Sequence, residues 1–378
     1  YKINKIESFP QAILGEYDAP EKQEQGLVLY NYLKDGNTII YGTDGSEREL
    51  LLSTLIYSTA KNYTADEVNL YLVDYGSESL RRYLRLPQIG GMVFLGEDEK
   101  FNNLLKMIKE ELKNRKKLFI NYGGEYKNYI KDSTNKIPLK VIILNNYDSI
   151  FESNQYLYDD LPELVRDSER YGIIFILTCS AINSVYAKIS QNFNNIYSFR
   201  LTDSSDYSSI FNTRTDKEPR SIFGRGLINN DGVHEFQTAN ILTDENKFNE
   251  YIINFINEQK AINQTSAKRI PVLPNIIRIN DIENEIKDLM SVPIGISKNS
   301  LEIIKYDFIS NICTIVSSNK LINTKKFILS LFEILKLIVK DNLVVIDSGI
   351  DLNVNVNNYK NYYNNNFDYV IENLNKLI

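Results

Sequence analysis

The sequence predicts an α/β protein with mostly parallel sheets flanked by helices. Short apolar runs that favour buried strands alternate with segments of helical periodicity. Unbroken apolar runs suit strands that are covered on both faces, as in a parallel sheet. The predicted strands are 38–41, 68–73, 141–144 and 173–177. Because ligands of such folds bind at the carboxyl ends of the strands, side chains at those ends are the first site candidates.

The segments between these strands have the spacing of amphipathic helices. Residues 48–61 follow the first strand directly. Residues 98–117 place Phe101, Leu104 and Ile108 on one stripe, with charged residues opposite. Alternation of strands with such helices predicts a doubly wound sheet.

The same order of elements recurs in weaker form near the end of the chain. Pro271 and Pro274 disfavour helix and mark a linker. The later elements are a strand at 312–317, an irregular turn, a helix at 324–340 and a strand at 343–347. We therefore predict two domains, 1–265 and 266–378, the second an incomplete copy of the first.

Composition excludes several classes of function. A net charge of −6 argues against a dedicated nucleic-acid binder. Cys179 and Cys313 lie in apolar runs, which excludes a disulfide scaffold. With His234 as the one histidine, a multi-histidine metal site is excluded; we predict no metal site and a strand position for His234. No apolar run reaches the roughly 18 residues that span a bilayer, so any membrane anchor is expected outside this sequence.

The turn after the first strand stands where a P-loop NTPase has its phosphate loop. That loop, G-x-x-x-x-G-K-[ST], joins a strand to a helix, and its glycine, lysine and hydroxyl residues serve phosphate and Mg²⁺. Here Glu47, Arg48 and Glu49 replace Gly-Lys-[ST]. A carboxylate repels phosphate, and arginine differs from lysine in reach and geometry. We therefore expect at most weak binding of ATP and Mg²⁺ and no ordinary hydrolysis. The candidate residues of the loop are Gly42, Gly45, Ser46, Glu47, Arg48 and Glu49.

The same turn has a structural interpretation. Ser46 and Glu49 have the spacing of a capping box, in which each side chain accepts a hydrogen bond from a free N–H of the helix end. Carboxylates in a first turn also interact favourably with the helix dipole, by about 0.3–1 kcal/mol each. We expect this helix end to be satisfied by its own side chains.

Other candidates lie at later strand ends. Asn145 stands where a P-loop ATPase carries an aspartate for magnesium. Asp148 is either a replacement acid or a solvated turn residue, and Thr178 either a polar sensor of phosphate or an ordinary strand-end threonine. In the second unit, Ser317 and Thr324 bound a second degenerate loop in which only Thr324 matches the pattern, so we expect it to bind no phosphate.

Seven segments, in the same order, resemble the FtsK/SpoIIIE-type modules of type VII secretion ATPases. They extend over residues 15–237, and their order makes the resemblance specific. The segments are 15–25 (D-x-P-x-x-Q-x-Q), 34–42 (the strand into the phosphate loop), 70–80 (Y-x-x-D-[FY]-G-x-x-x-L), 86–90 (L-P-H-V-G), 170–173 (G-[YR]-G-I), 224–226 (G-R-G) and 235–237 (F-Q).

The resemblance implies tandem P-loop modules of the RecA/FtsK-like kind, the second module of a secretion motor and the start of its third. It implies a homo-oligomer, a hexamer, on the cytoplasmic side of the bacterial cell membrane. The implied partners are other ATPase modules of the same chain and WXG-type secreted substrates, and no nucleic acid. The departures at 47–49, Asn145 and 317–324 imply roles in ring assembly, regulation or substrate recruitment rather than hydrolysis.

The resemblance also suggests an interface role for arginines before the final strands. Arg225, with Arg214 and Arg220, is placed where a ring ATPase can present a positive charge to a neighbouring subunit. Structural salt bridges explain these residues equally well.

Three further hypotheses stay open. One is a nucleotide sensor that binds ATP weakly through Arg48 and backbone amides. Another is a DNA translocase of the FtsK type, although the net negative charge argues against DNA binding. The last is a plain interaction scaffold, which does not explain the ordered motifs.

Overall fold

Ten strands from the first part of the chain form a single sheet. They are β1 (Gln11–Ala19), β2 (Glu24–Asn31), β3 (Thr38–Tyr41), β4 (Val68–Asp74), β5 (Ile89–Phe94), β6 (Leu139–Asn145), β7 (Ile173–Cys179), β8 (Asn195–Ser198), β9 (Arg225–Asn229) and β10 (Val233–Thr238). Their order across the sheet is β2-β1-β10-β9-β8-β3-β7-β6-β4-β5. The computed structural model describes residues 9–132, 137–154, 157–242, 244–274, 276–297, 302–311, 313–347, 361–364 and 371.

The sheet has a parallel and an antiparallel part. The strands from β8 to β5 pair in parallel, whereas β9, β10, β1 and β2 pair antiparallel. Every residue of β4, β6 and β7 is buried, as unbroken apolar runs require. The predicted fold class and the four predicted strands are confirmed. His234 lies in β10, also as predicted.

Helices cover both faces of this sheet. They are α1 (Gly45–Asn62), α2 (Asp98–Leu118), α3 (Tyr126–Asp132), α4 (Tyr147–Ser153), α5 (Leu157–Ser168), α6 (Ala187–Ser190), α7 (Ser205–Ile210) and α8 (Glu245–Ile262). Alternate residues of β6 enter different cores: Ile143 joins the core that contains Leu51 of α1, and Ile142 joins the core that contains Leu104 of α2. Burying a side chain of this size stabilises the fold by about 1.5–3 kcal/mol.

The chain divides into two compact units, Tyr1–Pro271 and Val272–Ile378. The sequence places this division six residues earlier, at 265/266. Residues 267–271 stay with the first unit because they lie along β5. Ala267 N–H donates to Pro87 O over 2.8 Å, and Ile270 N–H donates to Gly90 O over 3.2 Å.

The second unit departs from the predicted repeat. Its elements are β11 (Val292–Ile296), β12 (Ile303–Tyr306), β13 (Val344–Asp347), β14 (Asn361–Asn364), α9 (Ile279–Ile282) and α10 (Leu321–Val339). The predicted strand at 312–317 is wrong over residues 313–317, which are largely exposed and form no strand; Ile312 lies outside the described residues. A strand needs a hydrogen-bonded neighbour, and none of the described residues pairs with this segment.

The end of the second unit agrees better with the sequence. The predicted helix and final strand are present as α10 and β13. β13 pairs in parallel with β14. No helix in the described ranges combines the length and the apolar character needed to span a bilayer.

Candidate functional site

Several polar groups of the turn between β3 and α1 are hydrogen-bonded within the chain. Thr43 N–H donates to Arg200 O over 2.9 Å. Asp44 is the N-cap of α1: its Oδ1 accepts from Ser46 N–H at 2.8 Å and from the Ser46 hydroxyl at 2.6 Å. The predicted capping box of Ser46 and Glu49 is therefore wrong, because α1 begins at Gly45 and Asp44 occupies the capping position.

Glu47 is turned inward rather than toward solvent. Its side chain is buried, and its Oε1 accepts from Gly224 N–H at 3.0 Å, immediately before β9. Burial raises the pKa of Glu47 above its ordinary value, against the lowering effect of the Gly224 hydrogen bond. Glu47 thus joins α1 to the loop that precedes β9.

Glu49 joins α1 to a different loop, the one that follows β4. Its carboxylate accepts from Ser77 N–H at 3.1 Å, from the Ser77 hydroxyl at 2.6 Å and from the Ser79 hydroxyl at 2.6 Å. Burial raises the pKa of Glu49, but the hydrogen bonds from Ser77 and Ser79 outweigh it and the pKa lies below its ordinary value. The carboxylate is thus held in its charged form.

Arg48 lies inside the turn. The residue is 6% exposed. A Cβ atom added to Gly42 would lie 3.5 Å from Cγ of Arg48, and one added to Gly45 would lie 3.4 Å from its Nη2. The side chain therefore folds back along the turn between the two glycines. Its Nε and Nη1 are buried and have no hydrogen-bond partner within the described part of the chain.

Asn145 lies at the end of β6, at the predicted edge of the sheet. Its Nδ2 donates to Asp74 Oδ1 at 2.8 Å and lies 3.5 Å from Glu49 Oε1. Its Oδ1 accepts from the Thr178 hydroxyl at 2.7 Å. The structure thus brings Asn145, Thr178 and Glu49 together in one hydrogen-bonded network.

Asp74 is a member of this network that sequence reasoning missed as a site residue. It is fully buried at the end of β4, and its Oδ2 has no partner among the described residues. Burial raises the pKa of Asp74, against the hydrogen bonds from Asn145 and Gly76 N–H. Its position at the carboxyl end of a strand, the criterion that selected Asn145, is the signal that could have found it.

Asp148 lies in the first turn of α4. It is half-buried, and its Oδ2 accepts from Ser180 N–H at 2.9 Å, so its description as a solvated turn residue is wrong. Packing of α4 against β7 brings the carboxylate to this N–H group. No described contact joins Asp148 to Asn145.

Arg225 begins β9 and is bound within the chain. Its Nε donates to Gln237 Oε1 at 2.9 Å, and its Nη1 lies 3.2 Å from Glu235 Oε2. Arg220 binds the same Glu235 oxygen through Nη2 at 2.6 Å. Arg214 is exposed, and none of the described ion pairs of this cluster includes it.

The second candidate loop does not have the predicted setting. Ser317 lies in an exposed segment without regular structure, and Thr324 lies in the first turn of α10, after its start at Leu321. A phosphate loop connects a strand to a helix. The strand is missing from the described residues on the amino side of this turn.

The residues of the first turn do not fit a magnesium–triphosphate group. Such a site needs free loop amides, a cation that reaches the phosphates and a hydroxyl for the metal. Here Thr43 N–H and Ser46 N–H have partners in the chain, and a carboxylate, Glu49, stands at the hydroxyl position. Across the described ranges, no group of three or more acidic, histidine or cysteine side chains converges on a point that suits a metal.

The FtsK/SpoIIIE family model matches residues 16–241. The chain is 24% identical over 310 residues to the type VII secretion system protein EssC of Staphylococcus aureus strain MRSA252, covering 79% of this chain and 21% of that protein. It is 26% identical over 299 residues to the ESX secretion system protein YukB of Bacillus subtilis strain 168, covering 77% of this chain and 20% of that protein. The chain thus spans about a fifth of the length of these relatives.

Solved structures show the same fold. EssC (ATPases 2 and 3) from Geobacillus thermodenitrificans superposes with a TM-score of 0.87 at 23% identity, covering 100% of this chain and 74% of that chain. Thermomonospora curvata EccC (ATPases 2 and 3), solved in complex with a signal sequence peptide, gives a TM-score of 0.65 at 18% identity, covering 100% of this chain and 71% of that one. These likenesses establish the architecture.

Proposed function

Because the chain belongs to the FtsK/SpoIIIE family, we propose that it is an ATPase-module region of a type VII protein secretion motor and that it does not hydrolyse ATP. The order of the sequence motifs and the similarity to EssC and YukB support the secretion role. The acidic residues of α1 support the proposal that the chain does not hydrolyse ATP. Glu47 and Glu49 stand where an active loop has glycine and a hydroxyl, and both are engaged by the chain itself.

The domain assignment is part of this proposal. Residues 1–265 form an FtsK/SpoIIIE-like module with a degenerate phosphate loop, and residues 266–378 begin a second, degenerate module. The likeness to a protein described as ATPases 2 and 3 supports this order. The residues that depart from the active pattern are Glu47, Arg48, Glu49, Asn145 and Ser317, whereas Gly42 and Thr324 match it and Gly45 and Ser46 occupy its variable positions.

The proposed work of these modules is ring assembly, regulation or substrate recruitment. Their partners are other ATPase modules of the same chain, further copies in a hexamer and WXG-type secreted substrates, at the cytoplasmic side of the bacterial membrane. The description of one structural relative as a cytoplasmic domain and of another as a complex with a signal sequence peptide supports this setting.

Within this proposal, the chain's own side chains take the role that a nucleotide has in an active module. Glu47 holds the loop before β9, and Glu49 holds the loop after β4. In an active P-loop protein, contacts to the bound phosphates order such segments and are released on hydrolysis. Here the contacts are intramolecular, so both loops keep one arrangement whether or not ATP is present.

Calorimetric titration of the full chain with Mg-ATP, and then with ATP in EDTA, tests the proposal. We expect no heat of binding and no thermal shift. Micromolar binding with turnover would contradict a non-hydrolysing module.

A nucleotide sensor is the second candidate, and one observation favours it. Two nitrogen atoms of Arg48, Nε and Nη1, are buried without a partner among the described residues, and a guanidinium binds phosphate oxygens well. Binding that is equally strong in EDTA, and lost in Arg48→Met, would identify this alternative, because it needs the guanidinium and no metal.

A further inference from the structure

The two edges of the ten-stranded sheet differ. The start of the outer edge of β5 is covered by the chain itself: Ile270 N–H donates to Gly90 O, and Ala267 N–H donates to Pro87 O just before the strand. At the other end, β2 pairs with β1 alone among the described strands. A free strand edge presents unpaired N–H and C=O groups that can pair with another chain.

A cavity of about 510 Å³ runs along β2. Four consecutive residues, Gly26 to Leu29, line it. Successive side chains of a strand point to opposite faces, so a cavity that touches all four follows the strand's backbone. The opposite wall contains the amides of Asn195, Asn229 and Asn230 and the ring of Tyr197. Such a wall offers donors and acceptors to a second peptide backbone.

A second cavity, of about 590 Å³, adjoins the first and shares Tyr17, Gly26 and Leu27 with it. Its charged lining has three carboxylates, Glu16, Asp18 and Glu235, against the two guanidiniums of Arg220 and Arg225. Both arginines bind Glu235. The lining therefore carries an excess of one negative charge, on the β1 side of the cavity.

The hairpin that carries β1 and β2 extends this negative region. Between residues 16 and 24 it has four carboxylates, Glu16, Asp18, Glu21 and Glu24, and one lysine, Lys22. Lys217 pairs with Glu21, and the charges of Lys34 and Asp35 in the first cavity cancel, so the carboxylates exceed the cations at the hairpin by two. A basic segment complements this surface. Beside these charges, Leu29 is 43% exposed on β2 and offers an apolar contact.

We propose that the β2 edge binds an extended, basic segment of a partner polypeptide as an added strand. The segment's backbone pairs with β2, its basic side chains face Asp18, and its apolar side chains contact Leu27 and Leu29. In this mode of recognition, main-chain hydrogen bonds supply affinity and the pockets for alternate side chains supply specificity. No residue of the phosphate-loop turn lines either cavity, so the proposal does not require that ATP binds.

The test uses the full chain and a fluorescent nonapeptide of alternating lysine and valine. Anisotropy measures binding, and amide hydrogen exchange locates it. We expect slower exchange for the amides of residues 24–31. A peptide with glutamate for lysine should bind at least about tenfold more weakly, and one with methylated backbone nitrogens on its pairing edge should not bind, because it cannot donate to the strand.

Leu29→Lys should weaken binding of the lysine peptide, whereas Ile253→Lys, at an exposed position of α8, should not. Circular dichroism checks that both variants are folded. Equal binding of the methylated peptide, or binding without protection of residues 24–31, would overturn the proposal. So would sedimentation showing a dimer of the chain together with slow exchange of residues 24–31 in the absence of peptide, because the occupant would then be another protomer.

Discussion

Glu49 and Asn145 are in direct contact, with Glu49 Oε1 3.5 Å from Asn145 Nδ2. In a P-loop ATPase, the residues at these two positions hold one magnesium ion between them. Here a carboxylate and an amide contact each other directly, and the amide also binds Asp74 at 2.8 Å. The side-chain hydrogen bond thus joins α1 to β6 where a metal would join them in an active enzyme.

Restoring the phosphate-loop residues should create affinity for ATP. We expect Glu47→Gly, Arg48→Lys and Glu49→Thr together to strengthen binding of Mg-ATP at least about tenfold, equivalent to about 1.4 kcal/mol. The changes remove two carboxylates and supply a lysine and a hydroxyl. Calorimetry measures the effect, with Arg48→Lys alone as the control. Undetectable binding by a folded triple variant would show that the turn is not a modified phosphate loop or that Asn145 is equally disabling.

Glu49→Ala should loosen the loop that follows β4. Because three hydrogen bonds from Ser77 and Ser79 lose their acceptor, we expect a cost of about 1–3 kcal/mol in the free energy of unfolding. Exchange of the Ser77 amide should also accelerate. A double-mutant cycle with Ser79→Ala isolates the pair, and strictly additive effects would mean that the two side chains do not interact.

Asp74→Asn should change how stability depends on pH. Burial raises the pKa of Asp74 in the folded protein. Its contribution to stability is therefore complete below the unfolded value of about 3.9 and is lost as pH rises through the folded pKa. In urea unfolding, we expect the free energy of unfolding of the variant to increase relative to that of the wild type between pH 4 and pH 7. The expected increase is about 1.4 kcal/mol per unit by which the pKa is raised. The exposed Asp216→Asn controls for loss of one charge; a gain for Asp74→Asn that does not vary with pH would refute the assignment.

Gly15→Ala should destabilise the β1–β10 pair. A Cβ atom at residue 15 would lie 2.0 Å from Gln237 O, closer than atoms can approach, so one of the two strands must move. We expect a loss of about 1–3 kcal/mol in thermal or urea unfolding. Gly295→Ala is the matched control, since no atom lies within 4 Å of its added Cβ. Its effect should stay below about 1 kcal/mol, and equal losses in the two variants would show that backbone contact is not the cause.

The parallel strands were predictable because each buried strand corresponds to a run of consecutive apolar residues. The predicted strands 38–41 and 173–177 fall within β3 and β7 as observed. A central strand needs apolar side chains on both faces. A run of four to eight apolar residues between turn signals therefore favours a buried strand. The location of Asn145 follows in the same way from the end of an apolar run.

The partners of the site residues were not predictable by the same means. The capping rule considers residues 46 and 49 together, whereas Glu49 binds Ser77 and Ser79, 28 and 30 residues further along. The order of the strands in the sheet determines which loop lies beside α1. Local residue spacing does not reveal that order. The strand predicted at 312–317 failed for a related reason: β-propensity reflects packing against neighbours that the described residues do not supply.

The two carboxylates that hold different loops also constrain how this sequence can evolve. Reverting Glu47 alone would leave Gly224 N–H without its acceptor, and reverting Glu49 alone would leave Ser77 and Ser79 without theirs. Neither step alone completes a set of phosphate ligands, so each single reversion lowers stability before any catalytic benefit exists. If the turn is a modified phosphate loop, as we propose, selection on single substitutions therefore works against an ATP-hydrolysing loop, and the turn acts as an evolutionary ratchet.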